Sequence, residues 1–291
     1  MKTKFSVFKL ISLMVLLAFT IILSSMLLWG LLTSLKTPDE YYDNIIGFPR
    51  KLAFSTYIET LKNFFAISEG PNSLQQNIYI ETMLFNTILY AGIGAVVATA
   101  TPFVTAYATA KYNFKFGKVI YLIVVITMVL PIVGAFPSEL DLLMRLGLYD
   151  KIYGSWIQKM NFTSLYYLVF YAAFESMSKD YSEAAYIDGA SEFRLMTDIM
   201  FPLAKNVFFT VMLILFIAFW NDYQSPALYV PSYPTLAYGI YYVCLRDNRG
   251  IFTFVPGQMA ACYIVAVPII VLFIVFKNRL IGNLTIGGVK G

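Results

Sequence analysis

Residues 178–220 read SKDYSEAAYIDGASEFRLMTDIMFPLAKNVFFTVMLILFIAFW, and the two halves of this stretch obey different rules. From Val207 to Trp220 no charge interrupts the apolar run, whereas residues 178–206 mix charged, small and turn-forming residues. In hydrocarbon a continuous run of this kind can satisfy its backbone polar groups only as a helix. Working outward, five further apolar spans stand out: Leu10–Leu32, Leu84–Ala108, Val119–Phe136 (interrupted by Pro131), Phe162–Met177 and Met259–Phe276. The pattern predicts an all-α membrane protein of six transmembrane helices. Residues 1–291 read as one domain, with a core over about 80–280 and a polar loop at 178–206.

Composition agrees. The 291 residues are 59% hydrophobic and 13% charged, with a mean hydropathy of +0.68. A soluble domain carries about a quarter charged residues, so this chain could not cover a water-facing surface and takes the bilayer as solvent. A net charge of +4 gives no reason to invoke nucleic acid. Histidine is absent, which removes the commonest general base and metal ligand. Cys244 and Cys262 read as small apolar side chains, Cys262 within a span. No catalytic, metal or cofactor site is expected.

Lys2, Lys4 and Lys9 precede the first apolar run, as in a signal peptide. No charge follows from Leu10 to Ser34, however, which is longer than a signal h-region and sufficient to cross a bilayer. The run therefore reads as an uncleaved first span. With a cytoplasmic N-terminus, residues 1–9, 109–118, 178–206 and 277–291 lie inside and hold 12 of the 21 Lys and Arg within 63 residues. The outer loops hold nine within 114. That bias satisfies the positive-inside rule and places both termini in the cytoplasm. The long outer loops 33–83 and 221–258 are rich in aromatics, including Tyr223, Tyr229, Tyr238 and Tyr242. These can sit at the headgroup level, stack on sugar rings or pack against an external partner.

Within the inner loop, Asp180 can cap a first short helix, with Glu183 completing a capping box. Gly189 can take the positive φ that ends it. Ser191 can cap a second helix whose apolar face is Phe193, Met196 and Ile199 or Met200, and Pro202 marks a break before the fifth span. Such a hairpin either docks in a groove of another protein or lies on lipid headgroups.

The run EAAYIDGAS (Glu183–Ser191) followed by Pro202 resembles the EAA loop of permease subunits of ATP-binding-cassette importers, in their carbohydrate branch and in particular the maltose-transporter type of second permease subunit. Asn86-Thr87, Leu130-Pro131, Leu146-Gly147-Leu148, Trp220-Asn221-Asp222 and the ending Gly287-Gly288-Val289-Lys290-Gly291 are similar to that family's landmarks. The similarity covers roughly residues 80–291. Met177-Ser178 stands where the family usually has Ile-Pro, and loop 33–83 follows no familiar pattern.

The resemblance implies a type I importer permease fold and alternating access. It also implies a coupling helix in which Glu183 pairs with a cation of an ATPase subunit, Ala184 and Ala185 pack closely, Asp188 is a surface or cap residue and Gly189 permits the turn. The implied partners are a homologous second permease, two ATP-binding subunits and an extracellular sugar-binding protein, in addition to membrane lipid. A polyol or glycerol phosphate importer, or a secondary carrier, is the alternative.

What is missing points the same way. No phosphate-binding loop occurs, since Gly117-Lys118 lacks both the upstream glycine and the hydroxyl. The spans carry no relay of ionisable residues; Glu175 lies near the end of the fourth. Gly92, Gly94, Ala95 and Ala98 form a small-residue packing face in the second span. Thr87, Thr99, Thr101 and Thr105 either line a pathway or bond back to their own helix.

Overall fold

The computed structural model describes residues 7–71, 75–112, 116–130, 134–247 and 249–284. Lys2, Lys4, Pro131 and the ending Gly287–Gly291 lie outside them. The principal helices are α1 (Val7–Ser34), α2 (Ile80–Lys111), α3 (Gly117–Val129), α4 (Ala135–Arg145), α5 (Ile152–Gln158), α6 (Leu165–Glu175), α7 (Asp180–Ile187), α8 (Glu192–Trp220) and α9 (Val255–Leu284). Helices α1, α2, α8 and α9 are long and apolar enough to cross a membrane, and α3 and α6 are shorter apolar helices. The predicted spans thus fall on helices, with one correction. The third does not run on to Phe136, because α3 ends at Val129 and a separate amphipathic helix, α4, starts at Ala135.

The chain forms two compact units. In the unit of residues 1–65 and 239–267, nearly every residue of α1 is exposed, as suits a helix whose solvent is lipid. Its end is pinned through Lys36, which is fully buried and donates to the carbonyls of Asn44 (2.6 Å) and Ile45 (3.3 Å). Burial of that group is tolerable because two of its donors are met by carbonyls. Tyr57 and Ser34 share a hydrogen bond of 2.6 Å, and the Tyr263 hydroxyl donates to Leu27 O. Cys244 and Cys262 are free thiols.

A short strand pair, Phe65–Ile67 with Asn77–Tyr79, falls at the start of the unit of residues 66–238 and 268–291, all but Phe65 lying within it. At its centre α2 packs against α6 and α8. Between apolar helices in lipid there is no hydrophobic gain, so side-chain interlocking and hydrogen bonds decide the association. Here Phe103 meets Phe170, Phe174, Phe201 and Phe208 edge-on at 5.0–5.9 Å. Each such aromatic pair contributes about 0.5–1.5 kcal/mol. Thr87, Thr99, Thr101 and Thr105 all donate to the carbonyl four residues back, at 2.7–2.9 Å, so the back-bonding alternative holds.

Asn86 and Thr87 have a further task. Asn86 Nδ2 donates to Pro234 O (3.1 Å), and Thr87 Oγ1 accepts from Leu236 N (2.9 Å). Together they tie the segment after α8 to the start of α2. The outer-loop tyrosines follow none of the three predicted roles uniformly. Tyr229 and Tyr238 are buried in this unit and Tyr242 in the other.

Candidate functional site: a helical hairpin and a polar cleft

Helix α7 and the first turns of α8 form the hairpin expected from the sequence, with Gly189 at φ +74°. Gly189 N donates to Tyr186 O (3.0 Å) and Ala190 N to Ala185 O (2.9 Å). This paired closure satisfies two carbonyls that the end of α7 would otherwise leave orphaned. Ser191 caps the second arm, its hydroxyl accepting from Arg194 N.

Three expectations need correction. Asp180 is the first residue of α7 and not its cap, so no capping box with Glu183 forms; Ser178 Oγ instead accepts from Asp180 N. Pro202 does not break the chain, because helical structure runs continuously from Glu192 to Trp220. The reason is a π turn over Leu195–Met200, whose wider spacing admits a proline without a lost α-helical bond. The same turn changes the helix phase. Leu195 and Met200 are buried, while Phe193, expected on the apolar face, is 76% exposed.

The hairpin's two surfaces are thereby separated. Ala185 packs into the core with Phe103, Tyr107, Phe174, Leu195 and Met200. Glu183, Ala184, Asp188 and Gly189 are exposed, beside exposed Ile187 and Phe193. Among the described residues no ion pair or side-chain hydrogen bond engages Glu183. Glu192 accepts from Tyr112 and Tyr186 together, and Lys111 Nζ donates to Met177 O at 2.9 Å, so the end of α2 is fastened to both arms. Burial, with the Glu192 carboxylate beside it, pushes the Tyr186 phenol up, which keeps it a neutral donor.

At the other end of α2 and α8 lies a cleft of about 310 Å³ that the sequence reading did not anticipate. A π turn at Ile88–Ile93 sets Tyr90 toward it, and the Leu89 carbonyl of that turn accepts the Trp156 indole N–H at 3.1 Å. This contact holds α5 and brings Lys159, just beyond α5, over α2. The Lys159 ammonium rests on the rings of Tyr90 (3.8 Å) and Phe219 (4.9 Å). Its stem passes over Gly94, where a Cβ would come within 2.9 Å of Cδ. That contact is the specific use of one member of the small-residue face.

Burial lowers the Lys159 pKa to about 8, against the opposing pull of Asp222. Asp222 accepts from Tyr90 OH (3.0 Å) and Ser225 N (3.0 Å), which explains the position after Trp220-Asn221. Glu139 Oε2 accepts from Gln158 (3.0 Å) and Tyr229 (2.7 Å). The available signal in the sequence was the placing of Glu139, Lys159 and Asp222 just outside spans. Spacing alone does not show that three separate loops converge.

Among the described residues there is no group of three or more His, Cys, Asp or Glu able to hold a metal.

Residues 102–284 match the family described as binding-protein-dependent transport system inner membrane component. The chain is 26% identical over 242 residues to the trehalose/maltose transport system permease protein of Thermococcus litoralis, covering 81% of this chain and 83% of that one. It is 30% identical over 229 residues to the maltose/maltodextrin transport system permease protein of Vibrio parahaemolyticus, covering 73% of each. To the sulfoquinovosyl glycerol transport system permease protein of Agrobacterium fabrum it is 26% identical over 270 residues, covering 91% and 88%. Its fold is similar to that of a chain in the crystal structure of a bacterial ABC transporter involved in import of the acidic polysaccharide alginate. There the TM-score is 0.73 at 22% identity, covering 94% of this chain and 96% of that one. With more than half of the sequence, residues 102–284, matched, the chain belongs to the binding-protein-dependent transport system inner membrane component family.

Proposed function

We propose that this chain is a membrane-spanning permease subunit of an ATP-driven importer of a sugar, in particular an oligosaccharide, working by alternating access. It acts with a homologous second permease, two ATP-binding subunits and an extracellular sugar-binding protein. The observation that carries this reading is the hairpin. Its outer surface offers an unpaired carboxylate, Glu183, beside exposed Ile187 and Phe193, while its inner surface is keyed into the core by Ala185. A rigid element of this kind passes a displacement at its surface to the helices behind it, because packed interiors do not deform continuously. The names of the relatives, all of them transport permeases, support sugar as the cargo.

Closure of the ATPase dimer moves the hairpin, and Tyr112–Glu192–Tyr186 carries that motion to α2. The chain itself performs no chemistry. Purified alone, it is expected neither to bind nor to hydrolyse ATP. Co-assembled with its ATP-binding subunits and binding protein in vesicles, it is expected to accumulate labelled maltose only when ATP is present. Hydrolysis by the chain alone, or uptake driven without the ATP-binding subunits, would overturn the reading in favour of an enzyme or a secondary carrier.

Orientation follows from the charge bias, with both termini in the cytoplasm. In a background lacking Cys244 and Cys262, an impermeant thiol reagent added to intact cells is expected to label Ser55→Cys and not Ser178→Cys; both positions are exposed. The reverse pattern would put the hairpin on the wrong side for any ATPase.

A further inference from the structure

The cleft between α2, α4, the loop after α5 and the end of α8 contains polar groups that the fold itself does not satisfy. Lys159 presents three N–H donors, and its ammonium rests on two aromatic faces, which leave hydrogen-bonding capacity open toward the cleft. The Ser164 hydroxyl lines the cleft, buried and without a partner. Glu139 uses Oε2 for both of its donors, Gln158 and Tyr229, and leaves Oε1 free. Buried polar groups in native proteins are as a rule paired, so the orphaned Ser164 hydroxyl, with the open capacity of half-buried Lys159 and Glu139 around the same cleft, points to a ligand.

The chemistry of that ligand follows from the mixture. Unmet donors (Lys159) and an unmet acceptor (Glu139) face the same space, and a hydroxyl satisfies either kind. An anionic ligand would gain from Lys159 alone and be opposed by both Glu139 and Asp222, two carboxylates to one ammonium. A neutral ligand meets no such opposition. The aromatic members of the lining, Phe136 and Tyr166 among them, offer flat apolar surfaces of the kind on which the C–H face of a pyranose rests. The volume, about 310 Å³, lies at the small end of the roughly 300–1,000 Å³ of small-molecule sites. The cleft opens outward, so one ring can rest in it while the rest of a longer sugar extends beyond it.

We infer that this cleft is a sugar subsite belonging to this chain, holding one neutral pyranose unit with Lys159 and Ser164 as donors and Glu139 as acceptor. The inference rests on the importer reading above and adds to it that this subunit touches the cargo. Gly94 is part of the site, because any larger residue there displaces the Lys159 stem.

The test uses the full chain in phosphatidylcholine nanodiscs free of glycolipid, titrated with glucose, maltose and glucuronate and followed by saturation-transfer NMR. Glucose and maltose are expected to bind saturably, and glucuronate at least tenfold more weakly. Lys159→Met and Glu139→Gln are each expected to weaken glucose binding at least tenfold, and Glu139→Gln to narrow the gap to glucuronate. Gly94→Ala keeps every polar group and is still expected to weaken binding, which separates the subsite from a general loss of charge. Thermal unfolding of each variant confirms that the fold survives. The subsite is overturned if the wild type binds neither neutral sugar, if glucuronate binds best, or if the folded variants bind like wild type. In the assembled importer, ATP-dependent uptake without any such binding discards the subsite and leaves the importer. Absence of ATP-dependent uptake of any sugar discards the importer reading itself.

Discussion

Gly189→Val is expected to abolish sugar uptake, and transport-stimulated ATP hydrolysis with it, while the chain still reaches the membrane in near-normal amounts. At Gly189 the backbone has φ +74°, and no atom lies within 4 Å of where a Cβ would stand. The defect is therefore backbone strain and not a clash. A β-branched residue held at positive φ costs about 1–3 kcal/mol. The hairpin can shed that strain only by giving up the bonds from Gly189 N to Tyr186 O and from Ala190 N to Ala185 O. Those bonds lie within the hairpin and link its two arms, so the damage starts there and not in the spans.

Gly189→Asn is the informative companion, since asparagine visits the left-handed region at lower cost and should retain much of the uptake. Glu183→Ala acts differently. It leaves the helix intact and removes only a surface carboxylate, so the fold is unaffected and docking to the ATP-binding subunits weakens. Truncating one partner of a charge pair buried at an interface costs about 2–5 kcal/mol, a loss of roughly thirtyfold or more in affinity, read as reduced co-purification. Because the interaction is ionic, the wild-type complex should weaken as salt is raised, and the variant should already be weak at low salt. If Gly189→Val and Glu183→Ala both assemble and transport like wild type, the hairpin has no coupling role.

Gly154→Ala is expected to lower the melting temperature of the purified chain, although alanine is the better helix former by about 1 kcal/mol. Gly154 lies inside α5, and a Cβ there would come within 2.1 Å of the Leu148 carbonyl oxygen. That carbonyl is not free to retreat. Leu148 N is bonded to Leu143 O (2.8 Å), Asp150 N to Tyr229 O (2.9 Å), and the Asp150 carboxylate takes both Ser232 N (2.8 Å) and Ser232 Oγ (2.6 Å). Overpacking against a pinned backbone costs about 1–3 kcal/mol, which exceeds the gain in propensity. Because α5 leads directly to Gln158 and Lys159, the same substitution should weaken sugar binding in the cleft more than a core change of equal cost elsewhere. Equal or higher stability of Gly154→Ala, measured by thermal unfolding in detergent, would show that the Leu148 segment yields.

Two of the family landmarks turn out to be one device used twice. Gly189 follows α7 and Gly147 follows α4 with φ +65°, and in both cases the glycine N–H and the next residue's N–H close back onto the helix. Such closures depend on neighbours in sequence and on the absence of a Cβ, so the one at Gly189 was readable from residues 183–191, whereas residues 146–148 stood out only as a family landmark. The apolar spans were readable for a related reason: a bilayer demands length and hydrophobicity, and both are local properties of the chain. The threonines of α2 were readable as alternatives only, because a back-bond and a pathway lining use the same residues.

The remainder was not local. Whether Pro202 breaks a helix depended on the π turn before it, and that turn also turned Phe193 outward and Leu195 inward. No periodicity rule based on 3.6 residues per turn anticipates such a shift. The cleft is the clearest case. Glu139, Lys159 and Asp222 come from separate connections and share a cavity only because α2, α5 and α8 pack as they do, with Gly94 leaving space for a lysine stem. The sequence by itself determined that this protein lies in a membrane, where most of its long apolar spans run and how its hairpin turns, since each follows from solvent, length and backbone freedom. Only the tertiary structure decided which face of the hairpin is exposed and which charges meet, because those depend on helix phase and on contacts between residues far apart in the chain.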